Sequence, residues 1–151
     1  MYSLSALYRY PVKSTAYEPL ESVRLDALGL EGDRRWLVVE ASNGRFLTQR
    51  LLPQMGRIEA RWQDDFAALR LRAPGMEDLL VNVPGRDDNL RGVLIWRDTL
   101  QVPDAGEAAA QWLSTFLGRD VRLVQMSEQR ARQVDTAYAE PGEQVHFLSL
   151  I

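Results

Sequence analysis

Along residues 1–103 the apolar side chains recur at every second position in short runs, and no stretch there sustains a 3.6-residue period. Leu4, Ala6, Tyr8 and Tyr10 mark a first strand that should stop at Pro11, because proline has no N–H to give a ladder. Val23 and Leu25 mark a second. A glycine-bearing loop over 26–34 then leads into Arg35-Trp36-Leu37-Val38-Val39-Glu40, which reads as a strand. Asn43-Gly44 lies between two strand-like runs and tolerates the positive φ of a tight turn, so 35–49 is expected to be a hairpin. Ile58, Ala60 and Trp62 alternate with Glu59, Arg61 and Gln63, and Leu69 and Leu71 continue the pattern after the Asp64-Asp65 turn. Pro74-Gly75 and Pro84-Gly85 break the chain again, and Leu94-Ile95-Trp96 lies in one more strand.

One segment changes period. Asp104 can cap a helix with Glu107 three residues on; Ala109, Trp112, Leu113, Phe116 and Leu117 follow at helical spacing, and Gly118 supplies the stop. This predicts a single amphipathic helix over 104–117, with Trp112 and Phe116 plugging the core rather than stacking a ligand. Val121 and Leu123 begin another strand. Residues 127–144 are polar and read as an exposed connector, and the chain closes on an apolar run over 145–151. The pattern as a whole is that of a mostly β (α+β) domain.

Composition narrows the functional classes. A net charge of −3, with nine cationic against seven acidic residues over 1–62 and nine against fourteen over 63–151, gives no footprint for bulk nucleic-acid binding. With no cysteine, disulfides, thiolate metal sites and cysteine nucleophiles are excluded, and His146 alone does not make a histidine metal site. No apolar run reaches membrane-spanning length and the N-terminus lacks the pattern of a signal peptide, so a cytoplasmic protein without membrane contacts is expected.

Three clusters carry candidate chemistry. Lys13, the one lysine beside seventeen arginines, stands with Ser14 directly after the proline-terminated strand. An ammonium, a hydroxyl and backbone N–H groups there can meet one phosphate, although a solvated turn is the plainer reading. In Gly32-Asp33-Arg34-Arg35-Trp36 an acid and two arginines stand at a strand entry, and consecutive strand residues face opposite ways, so one arginine is expected on the surface. Asp33 either holds the neighbouring arginine or caps the loop. Thr48-Gln49-Arg50 reads as a polar strand end, and Arg57 and Arg61 as solvated.

Three blocks combine into something specific: "YRYPVKST" near the N-terminus, "GLEGDRRWLVVEASNGRFLTQRLLPQM" at 29–55 and "GEAAAQWLSTFLGRDVRLVQM" at 106–126. Together they resemble the N-terminal β-barrel domain of MOSC proteins over residues 2–126. The resemblance implies a β-barrel of short, mainly antiparallel strands over 1–126, with 127–151 forming a connector and the start of a C-terminal MOSC domain. It implies molybdenum cofactor (molybdopterin) binding in an oxidoreductase that reduces N-hydroxylated compounds, or alternatively in a sulfur-transfer or other oxotransfer protein. An iron–sulfur electron donor is a further implied partner, as in some relatives. By the same resemblance Lys13, Ser14 and Arg34 contact the phosphate end of the cofactor, with Arg34 rather than Arg35 facing inward. The departure is the missing cysteine: the molybdenum ligand must come from elsewhere, so this chain is not expected to catalyse alone. A non-catalytic interaction barrel is the reading that keeps the fold without the cofactor.

Overall fold

In a computed structural model, residues 1–126 are described, together with the backbone of 132–133 and 144–145. The strands are β1 (Leu7–Arg9), β2 (Glu18–Leu20), β3 (Leu25–Asp26), β4 (Gly29–Leu30), β5 (Trp36–Glu40), β6 (Glu59–Gln63), β7 (Ala68–Arg72), β8 (Leu79–Asn82), β9 (Leu90–Ile95), β10 (Asp98–Pro103), β11 (Val121–Gln125), β12 (Arg132–Gln133) and β13 (Gln144–Val145). A 3₁₀ turn spans Pro53–Arg57 and one α-helix, α1, spans Glu107–Leu117. β12, in the expected connector, pairs antiparallel with β13, which runs from its last residue into the apolar end; the remainder of 127–151, including His146, lies outside the described residues. Among the described residues no helix is long and apolar enough to cross a membrane.

β5 and β11 are the centre of the molecule. They pair antiparallel from Trp36↔Gln125 to Glu40↔Val121, and Trp36, Leu37, Val38 and Val39 are all buried. A strand covered on both faces reads as a continuous apolar run rather than an alternation, which explains "WLVV". Trp36 and Val38 enter one core with Ile58, Ala60, Leu69, Leu71, Trp112 and Leu113, while Leu37 and Val39 enter a second with Val93, Ile95, Val102 and Val124. The three-stranded sheet β6-β7-β8 and helix α1 cover the first core; the β9-β10 hairpin covers the second.

The expectation of a mostly β fold with one helix holds, but the barrel needs correction. The pairings are small sheets of two strands, with one of three, and single bridges such as Val39↔Phe46, Arg45↔Leu94 and Asp104↔Val124 connect them. No closed barrel is found among the described residues. A barrel requires continuous ladders with a constant stagger. Strands of two to six residues, interrupted by prolines and left-handed turns, do not sustain one.

Three local expectations also change. β1 covers only Leu7–Arg9, and its inward residue is Arg9 rather than Tyr8, which is 48% exposed. Arg9 is satisfied there: it donates to the Glu18 carboxylate at 2.8 Å and to the Glu31 carbonyl at 3.0 Å, and lies over the Phe66 ring. Tyr8 and Tyr10 instead stack edge-on against Tyr17. A strand at Glu18–Leu20, which supplies the partner for Arg9, precedes the expected one; of Val23 and Leu25 only Leu25 is in a strand, exposed in the short β3–β4 pair. Helix α1 begins at Glu107 with Gly106 as its cap; Asp104 accepts from the Gly106 N–H but is otherwise engaged by Arg91 and Arg122. The Gly118 stop in the left-handed region and the core positions of Trp112 and Phe116 are as expected.

Candidate functional site

The site grows from three turns. After β1, Pro11 ends the ladder and Val12 bridges Trp36, so the Lys13 N–H donates to the Trp36 carbonyl at 2.9 Å and the chain turns at Ser14 with φ +65°. Before β5, Arg34 adopts φ +48° and its N–H donates to the Tyr10 carbonyl at 2.6 Å. Asp33 fixes this turn twice: its Oδ1 accepts the Tyr10 N–H at 2.8 Å and its Oδ2 pairs with the Arg34 guanidinium. Arg34 also lies over the Tyr10 ring, 5.1 Å from its centroid. Of the two functions left open for Asp33, it performs the first through Oδ2; its Oδ1, instead of capping its own loop, ties that loop to Tyr10.

The third turn closes the β5 hairpin. The Glu40 N–H donates to the Arg45 carbonyl at 2.8 Å and the Leu47 N–H to the Val38 carbonyl at 2.9 Å, as expected for 35–49. Asn43 contributes its side chain, accepting the Arg45 N–H at 2.9 Å, and only Gly44 takes the positive φ. A glycine is required there, since a Cβ would meet the Gly92 carbonyl at 2.2 Å. The returning arm carries Phe46, whose ring lies 5.5 Å from the Lys13 ammonium.

Between these turns runs a cleft of about 940 Å³, and Lys13, Ser14 and Arg34 all line it. Five cationic side chains, Lys13, Arg34, Arg45, Arg50 and Arg119, face one lining carboxylate, Glu40, which Arg119 engages. Such an excess concentrates anions, and a cleft with apolar walls focuses the field further. Phe46, Leu47, Leu94 and Trp96 supply apolar wall. Thr48-Gln49-Arg50, read from sequence as a mere strand end, lines the cleft as well.

Arg34 and Arg35 do face opposite ways, but neither is a plain surface residue. Arg35 is buried, pairs with Asp26, and lines a separate pocket of about 250 Å³ with Trp62 and Phe66. The reason is its position directly before β5, a strand with two buried faces, where the residue opposite the cleft enters the fold instead of water. Arg57 and Arg61 are exposed, as expected. Tyr10, Arg45, Trp96 and Arg119 escaped the sequence reading. Tyr10 adjoins "PVKS" and Arg45 adjoins the Asn-Gly turn, which are usable signals, whereas nothing local marks Arg119 or Trp96.

The donor set fits an anion and not a metal: ammonium, guanidinium and hydroxyl groups suit phosphate oxygens. Among the described residues no three Asp, Glu or His side chains converge, and the chain has no cysteine. Fold and site together describe a small β module that carries a cationic cleft. The chain belongs to the MOSC N-terminal beta barrel domain family, whose model matches residues 1–120. It is 35% identical over 132 residues to mitochondrial amidoxime reducing component 2 of Bos taurus, covering 83% of this chain and 38% of that protein. It is 31% identical over 128 residues to the molybdenum cofactor sulfurase of Homo sapiens, covering 83% of this chain and 14% of that protein. The chain therefore spans well under half the length of these relatives. A solution structure of a Bordetella bronchiseptica protein shares the fold with TM-score 0.60 at 23% identity, over 87% of this chain and 95% of that one.

Proposed function

We propose that this chain is the cofactor-positioning part of a molybdenum-cofactor protein that reduces N-hydroxylated compounds, and that Lys13, Ser14 and Arg34 hold the phosphate end of the cofactor. The observation that carries the reading is the convergence, in one cleft with a single carboxylate, of residues from two turns twenty positions apart. Arg34 is suited to bidentate contact and Lys13 to acting as a point charge, with the Ser14 hydroxyl completing the set. When bound, the cofactor supplies the redox-active metal, and its ligand comes from a C-terminal MOSC domain of the same protein. The role of these residues is to bind and orient. An iron–sulfur protein is the proposed electron donor, and the cytoplasm the proposed compartment.

A second reading, sulfur transfer centred on the same cofactor, is favoured by the likeness to a molybdenum cofactor sulfurase at 31% identity. Substrate assays of the full-length protein separate the two. In that protein Lys13→Ala and Arg34→Ala are expected to lower the molybdenum content per chain, while Arg61→Ala, an exposed arginine outside the cleft, leaves it unchanged. Equal molybdenum in all three variants would defeat the assignment.

A further inference from the structure

Trp96 is out of place by every local rule. It occupies the first position of the two-residue turn between β9 and β10, defined by the Ile95↔Asp98 pair, and its φ is +56°. A positive φ at that position favours glycine, and a bulky side chain there is strained. Its indole is 55% exposed, one of the large apolar side chains left to solvent. Backbone strain combined with an exposed aromatic ring in a cleft is the pattern of a binding surface.

The surroundings state what would bind. The Trp96 ring packs at 5.0 Å from Phe46 with the planes tilted by 56°, and Phe46 also has the Lys13 ammonium at 5.5 Å from its ring. Lys13, Phe46 and Trp96 thus form a continuous strip of the cleft, cationic at one end and aromatic at the other. We infer that Trp96 is a stacking platform for a flat heterocyclic ring tethered to the phosphate that Lys13 and Arg34 hold. The ligand class is a phosphate ester of a heterocycle, not phosphate alone. This rests on the phosphate reading of the site and adds the residue that selects what the phosphate is attached to. Two sources share this chemistry, the pterin of the cofactor itself and the base of a nucleotide joined to it.

Calorimetric titration of the chain with inorganic phosphate, guanosine monophosphate and a synthetic pterin monophosphate tests it. At least one ring-bearing phosphate is expected to bind about tenfold more tightly than inorganic phosphate, the scale of one base–aromatic stack. Trp96→Ala should abolish that gain and leave phosphate binding intact, and Trp96→Phe should keep part of it. Which probe gains more identifies the source of the ring. If phosphate binds in a Lys13-dependent way but neither ring adds affinity, or if the gain survives Trp96→Ala, the platform is refuted while the phosphate site stands. If phosphate itself shows no Lys13-dependent binding, the reading of the whole site falls with it.

Discussion

Asp33 ties two residues of the cleft together, and its removal has two separable costs. Asp33→Ala orphans the part-buried Tyr10 N–H and unpairs Arg34, whereas Asp33→Asn keeps an acceptor for Tyr10 and loses only the ion pair. An orphaned buried donor costs about 1–3 kcal/mol, and the pair contributes less because the Arg34 side chain is 32% exposed. Denaturant melts should therefore rank wild type above Asp33→Asn and Asp33→Asn above Asp33→Ala, with about 2 kcal/mol between the extremes. An equal loss in both variants would refute the two-oxygen account. Ser14 offers the opposite case: at φ +65°, Ser14→Gly relieves strain of about 1 kcal/mol, which offsets the entropy glycine adds to the unfolded chain. That variant should keep its stability and lose phosphate affinity, and a clear drop in melting temperature would count against it. At this scale a proline-ended strand and a glycine loop marked Lys13, Ser14 and the Arg34-Arg35 pair as candidates, with a solvated turn the plainer reading of the first two, and the family resemblance made the choice of Arg34. Trp96 and Arg119 were invisible because their roles depend on a cleft assembled from distant turns.

Among elements, the junction of β10, α1 and β11 is held by Asp104. Nearly buried, it accepts from the Gly106 N–H, from Arg91 at 2.7 Å and from Arg122 at 2.8 Å through both oxygens. Burial pushes its carboxyl upward, but the bonds from Arg122, the Gly106 N–H and Arg91 outweigh this and hold it below the usual carboxylate range. A carboxylate depressed in the folded state adds stability above its unfolded pKa, near ~4, and loses it as pH falls through the folded value. Asp104→Asn should thus cost about 2 kcal/mol at neutral pH, somewhat below the usual figure for a broken buried pair, because Arg91 is 32% exposed. The gap to wild type should shrink below about pH 4, and a gap constant between pH 7 and 3 in urea midpoints would exclude the linkage. The helix itself was legible from its period and its Gly118 stop. Its start was not, because Asp104 was drawn away from the capping role by two arginines on other strands.

For the molecule as a whole, β5 and β11 make the two cores one cooperative unit, since each strand feeds both. Leu37→Ala empties space in the second core and Leu123→Ala in the first, each at about 3 kcal/mol. Both should lower one shared unfolding transition, seen alike by tryptophan fluorescence and far-ultraviolet circular dichroism. Two separated transitions in either variant would mean that the cores unfold independently.

The chain's own pattern determined the β class, the hairpin after "WLVV" and the single helix, because period and turn chemistry are local signals, whereas Lys13, Ser14 and Arg34 were singled out by the likeness of three blocks to a known family. Only the tertiary structure decided that the strands form small bridged sheets without a closed barrel, that Arg9 and Arg35 turn inward, and that Trp96 faces the cleft beside Phe46. Those outcomes depend on partners in other elements, Glu18 on β2, Asp26 on β3 and the arm of another hairpin. Burial of a charge or exposure of an aromatic ring is settled by what lies opposite it, which the chain path and not the order of residues decides.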